Sequence, residues 1–99
     1  MKNNQNYLDL RGHRFDLGFD LEFQIINILD SFFYPFLKSR KSSILKICVG
    51  RGLNSRRLIE GMHPLKYYTT RYLNRLNLKY RNAGVADGGE GVLIVEIYE

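Results

Sequence analysis

Read from the amino end, the spacing of apolar residues shifts between two and three-to-four, and each shift marks an element. Tyr7-Leu8-Asp9-Leu10 alternates as a short strand, and Arg11-Gly12-His13-Arg14 follows as a polar turn. Leu21, Ile25, Ile28, Leu29, Phe32 and Phe36 then recur at helical spacing, with Asp16 or Asp20 placed to cap the start. Pro35 predicts an end or a kink near Tyr34, and the polar, basic stretch 38–43 reads as a loop. Ile44, Leu45, Ile47, Cys48 and Val49 form an apolar run closed by Gly50-Arg51-Gly52, the pattern of a buried strand.

Residues 56–63 fit no element clearly. Pro64 suits the first position of a second helix, whose apolar stripe is Leu65, Tyr68, Tyr72, Leu73 and Leu76. Lys66, Thr70, Arg71, Asn74 and Arg75 fall mostly on its other side. Residues 79–85 read as a weaker strand, 87–91 as a flexible glycine turn, and Val92 to Tyr98 as a strong strand, continuous at first and alternating later. The predicted architecture is α/β: a two-layer sandwich, β-α-β-α-β-β, with a mixed four-stranded sheet and two main helices. Residues 1–6 are expected to be a flexible start and 7–99 one domain, which suits the length.

A right-handed crossover through the first helix would make the first two strands parallel neighbours. Their glycine turns, Arg11-Gly12 and Gly50-Arg51-Gly52, would then open at one end of the sheet. Glycines let backbone N–H groups approach an anion closely, and Arg51, Arg56 and Arg57 surround the second turn with charge.

Charge sharpens this picture. The net charge is +5, yet residues 37–81 carry twelve Lys and Arg against one acid, Glu60, while the flanks are acidic. A basic middle bracketing a glycine turn suits a polyanion, because each phosphate it neutralises releases counterions. The single cysteine, Cys48, lies in an apolar run and cannot form an intrachain disulfide, which suits a reducing compartment. No apolar run reaches the ~20 residues of a membrane span, and the polar start has no secretion signal, so a cytoplasmic address is expected.

Several chemistries are disfavoured. Gly50-Arg51-Gly52-Leu53-Asn54-Ser55 has Ser where a dinucleotide fingerprint has its third glycine, and no Gly-Lys-Ser/Thr phosphate loop occurs. His13 and His63 lack cysteines at zinc spacing. Gly88-Gly89-Glu90 has Glu where the peptide-release loop requires Gln.

Three segments in order, Leu8-Asp9-Leu10-Arg11-Gly12, Val49-Gly50-Arg51-Gly52-Leu53-Asn54-Ser55 and Gly88-Gly89-Glu90-Gly91-Val92, resemble the motifs of the small MutS-related (Smr) domain. The resemblance covers nearly the whole chain. It implies a fold similar to the carboxyl-terminal domain of bacterial translation initiation factor three, nucleic-acid binding, and in several members endonuclease or nicking activity, linked to ribosomes in some. Asp9 and Arg11 match the first motif, Gly50, Arg51 and Gly52 the second, and Gly89 and Gly91 the third. Asn54 stands where the family often has His, which removes a proton-transfer group.

Phosphodiester cleavage needs charge on the phosphate and groups that move protons. Arg11, Arg14 and Arg51, with the N–H groups of Gly12 and Gly52, are the candidates for the first task. Asp9 could act as a base, ligate Mg²⁺ or orient Arg11, and His13 could replace the histidine missing at Asn54. Asn54, Ser55, Arg56 and Arg57 complete the expected binding surface. Mg²⁺ is the one cofactor candidate, and none is required with certainty. The leading expectation is an endonuclease acting on RNA or structured nucleic acid. The alternatives are a non-catalytic RNA- or DNA-binding module and a protein-interaction domain docking through Tyr67, Tyr68 and Tyr72.

Overall fold

The computed structural model describes residues 6–16, 19–39, 42–50 and 58–97. Strand β1 (Tyr7–Asp9) leads into a 3₁₀ turn (Leu10–Gly12), followed by α1 (Leu21–Ser39), β2 (Ser43–Cys48), α2 (Pro64–Arg75), β3 (Lys79–Asn82) and β4 (Val92–Ile97). This is the expected order, and the sheet is mixed and four-stranded, β1-β2-β4-β3. β1 and β2 are parallel; β4 runs antiparallel to both β2 and β3. Asn6, placed by sequence in a flexible start, is tied to β2: its carbonyl accepts from the Lys46 amide at 2.8 Å and its side chain donates to the Ile44 carbonyl.

Both helices pack on one face of the sheet. Ile25, Leu29 and Phe33 of α1 and Tyr72 and Leu73 of α2 share one buried cluster with Leu45, Ile47, Leu93 and Val95. These strand residues alternate, as period-two side chains on one face must. On the opposite face Cys48, Ala83, Val92 and Ile94 form a smaller buried group, joined by Tyr7. That second group explains why β4 starts as a continuous apolar run: its side chains on both faces are buried.

Two local expectations change, and a choice left open between two caps is decided. α1 passes through Pro35 and ends at Ser39. The carbonyl that Pro35 leaves without a donor belongs to Ser31, on the exposed side where water can serve it, while Phe36 packs on the core and against Phe32 at 5.7 Å. Asp20 rather than Asp16 caps the helix, its Oδ1 accepting from the Glu22 and Phe23 amides. Thr70, expected on the outer side of α2, is buried, and its hydroxyl donates to the Tyr67 carbonyl. The stretch before α2 closes as a two-residue turn, with Ile59 and Met62 exchanging both backbone bonds and Glu60 and Gly61 at positive φ. No helix among the described residues is long and apolar enough to cross a membrane.

Candidate nucleic-acid interface

Because β1 and β2 are parallel and β4 is antiparallel to β2, the carboxyl ends of the first two and the start of the third lie at one end of the sheet. In register, Asp9 faces Cys48 and Cys48 faces Val92. The described parts of all three glycine-bearing segments meet there. Gly50, at φ +80°, donates to the Gly91 carbonyl at 3.0 Å, beside the Val49 bond to the same oxygen at 2.9 Å. The Arg11 stem lies directly against Gly50: a Cβ there would be 3.0 Å from Arg11 Cδ and 3.2 Å from Cγ. Glycine is therefore needed at this point both for its φ and for the arginine crossing it.

Asp9 fixes that arginine. Its Oδ1 accepts from the Arg11 amide at 2.9 Å and from Nε at 3.1 Å, and its Oδ2 accepts from a terminal guanidinium nitrogen at 3.1 Å. The paired guanidinium holds the Asp9 carboxyl below its ordinary range, against partial desolvation and with help from the Arg11 amide and the Cys48 thiol. Of the three roles open to Asp9, this geometry favours orientation of Arg11. Both carboxylate oxygens are engaged, and a lowered pKa makes a weaker base.

His63, which the sequence pattern does not place in the site, stands beside Gly50, and Lys66, from the polar side of α2, reaches the neighbouring glycine segment at Glu90. His63, the residue before Pro64 at the start of α2, is 8% exposed, and its Nε2 donates to the Gly50 carbonyl at 2.9 Å. Burial depresses its pKa, the Gly50 carbonyl opposes that, and the Lys66 charge adds to it, so the charged form of the ring is disfavoured. Lys66, one turn into α2, donates to the Glu90 carbonyl at 3.1 Å and ties the helix to the third glycine segment. A His-Pro pair entering a helix was the one visible signal; its contact with Gly50 depends on the fold.

The glycine amides themselves are committed internally. Gly50 donates to Gly91, Gly89 to the Gly84 carbonyl at 2.9 Å, and Gly91 to the Gly88 carbonyl at 3.2 Å. The described corner therefore offers an anion its cationic side chains more than a backbone cradle. His13 is exposed, closes the 3₁₀ turn through its amide and sets its ring 6.5 Å from that of Phe15; Gly12 and Arg14 are exposed too. Arg51, Gly52, Asn54, Ser55, Arg56 and Arg57 lie outside the described residues. Among the described residues no cluster of three His, Cys, Asp or Glu side chains is arranged to hold a metal ion. Tyr72 is buried with its hydroxyl donating to Asp30 at 2.7 Å, which withdraws it from any docking surface on α2.

Compared with known proteins, the chain matches no family model and no curated sequence.

Proposed function

We propose that this chain is a nucleic-acid-binding domain of the Smr type that receives a backbone phosphate at the corner around Gly50. One observation carries the reading: Arg11 and His63, far apart in sequence, meet at Gly50, which bonds to Gly91, and Lys66 is tied to Glu90 next to that glycine. Arg11 is exposed and aimed by Asp9, so it can meet a phosphate oxygen with the guanidinium donors that Asp9 leaves over. Lys66 adds a point charge, and the start of α2 turns its positive end toward the same corner. The basic excess of residues 37–81 supports the reading, as does the order of the three motifs.

Binding of mixed-sequence RNA and DNA should weaken steeply with salt, and Arg11→Ala should weaken all sequences alike and lower the salt slope by about one. Affinity indifferent to salt would overturn the reading.

A second reading adds phosphodiester cleavage, favoured by the Asp9–Arg11 pair and His63 meeting across Gly50. Arg11 would stabilise charge on the phosphate, and Mg²⁺, where required, would be supplied with the substrate. Labelled RNA and DNA incubated with the wild type and with Asp9→Ala, with and without Mg²⁺, test this. Equal cutting by both proteins would leave binding without chemistry at this corner.

A further inference from the structure

The sheet face turned away from the helices can be read in rows from the strand register. Tyr7, Lys46, Ile94 and Arg81 make one row across all four strands. Asp9, Cys48 and Val92 form the row toward the corner, continued by Ala83, whose amide donates to the Val92 carbonyl. Ile44, Glu96 and Lys79 form the row beyond.

Among the described residues no helix packs on this face, yet Ile94 is only 5% exposed, and Cys48, Val92 and Ala83 are buried as well. Ile94 is flanked in register by Lys46 and Arg81, residues of a kind that can lay an aliphatic stem along apolar surface and keep a charged head in water. Lys79 and Arg81 are exposed and Lys46 half-buried. The two acids on this face are each set against an arginine: Asp9 against Arg11, and Glu96 against Arg81 at 4.0 Å. Apart from Ile44 at the far row, the described part of the face sets cationic residues beside apolar ones that are already buried.

Such a surface offers little fresh apolar area to a protein and much to a polyanion. Resting on the nucleic-acid reading above, we infer that this open face is a track for single-stranded nucleic acid leading to the Arg11 corner. Lys46 and Arg81 lie two strand spacings apart, about 10 Å, so they address separate phosphates of one strand. Tyr7, half-buried at the edge of the same row, offers its ring to an unstacked base. An open four-stranded sheet with an aromatic on it suits splayed bases better than a closed duplex.

The test compares wild type with Lys46→Gln/Arg81→Gln, Tyr7→Leu and Arg11→Ala. The probes are fluorescent oligo-uridine and oligo-thymidine of about twenty nucleotides and an RNA duplex of similar length. All are titrated over several salt concentrations, with thermal melts to check folding. The double variant should lose about tenfold or more in single-strand affinity and lower the salt slope by about 1.4, while duplex affinity changes little. Tyr7→Leu should cost about fivefold or more. Equal loss for oligo-uridine and oligo-thymidine assigns the track to phosphate and base faces, and greater loss for oligo-uridine adds the 2′-hydroxyl; both support it. Unchanged single-strand affinity in a folded double variant overturns the track, and if Arg11→Ala still weakens binding, the corner survives alone. Equal loss for duplex and single strand overturns the single-strand assignment. No binding by the wild type overturns track and corner together, and dimerisation through this face without nucleic-acid binding assigns it to a second copy.

Discussion

Gly88 shows how a single position can hold the third glycine segment in shape. Its φ of +113° is one that side-chain-bearing residues rarely adopt, and a Cβ there would fall 2.4 Å from Cγ2 of Val92. Val92 is branched at Cβ, buried and paired with Cys48, so it cannot swing aside. Gly88→Ala should therefore cost about 2–3 kcal/mol from backbone strain and overpacking together, read as a lower denaturation midpoint. Tyr72→Phe is the milder case. It removes a bond to Asp30, which is exposed and can turn to water, so the loss should be near 1 kcal/mol in the same measurement.

Among the elements, the end of α2 is fixed by a left-handed residue. Asn77 stands at φ +57°, the Leu78 amide donates to the Leu73 carbonyl at 3.0 Å, and the Asn77 amide to Asn74 at 3.1 Å. This pattern of two reverse bonds is a Schellman closure, and it sets the angle at which β3 returns to the sheet. Asn77→Gly should stabilise by up to about 1 kcal/mol and Asn77→Val should destabilise by at least as much, measured by chemical denaturation. The elements were also the part of the fold best legible in the sequence. Pro64 marked the first residue of α2, and the Leu21-to-Phe36 spacing marked α1, because periodicity reports which face of one element is buried. It reports less about details that neighbours decide. Phe33, fully buried, is missing from the spacing that picks out Phe32 and Phe36, and Pro35 is tolerated because the Ser31 carbonyl it leaves without a donor lies on the exposed side.

Across the whole molecule, pH should expose two buried groups on opposite sides of neutrality. His63 binds its proton less readily when folded, so its share of stability is present above the ordinary imidazole value of 6.5 and is lost as pH falls below it. Burial and the Asp30 contact raise Tyr72 far above its ordinary 10.0, so its share is present below that value and is lost as pH climbs past it. Melting temperature should thus be flat between about 6.5 and 10. His63→Gln should make the loss just below 6.5 shallower, leaving the part that Asp9 contributes at lower pH, and Tyr72→Phe should make the alkaline limb shallower, leaving the share of Tyr7, which burial also raises.

The candidate site was less legible than the fold for a related reason. The parallel pairing of β1 and β2 followed from a handedness rule, which brought Arg11 to Gly50. His63 and Lys66 reach the same corner through contacts 13 and 24 residues apart, which no local pattern encodes.

Strand order carries one more consequence. β4 comes after every other element of the fold yet lies between β2 and β3, so the middle of the sheet is empty until those residues have been synthesised. At about 5–20 residues per second, a ribosome would hold the earlier elements for seconds without their central partner. A chain stopped before Val92 should show neither a cooperative melt nor native circular dichroism. Folding in the cell should accordingly be a late, all-at-once event, with any holding chaperone acting on the unfinished chain.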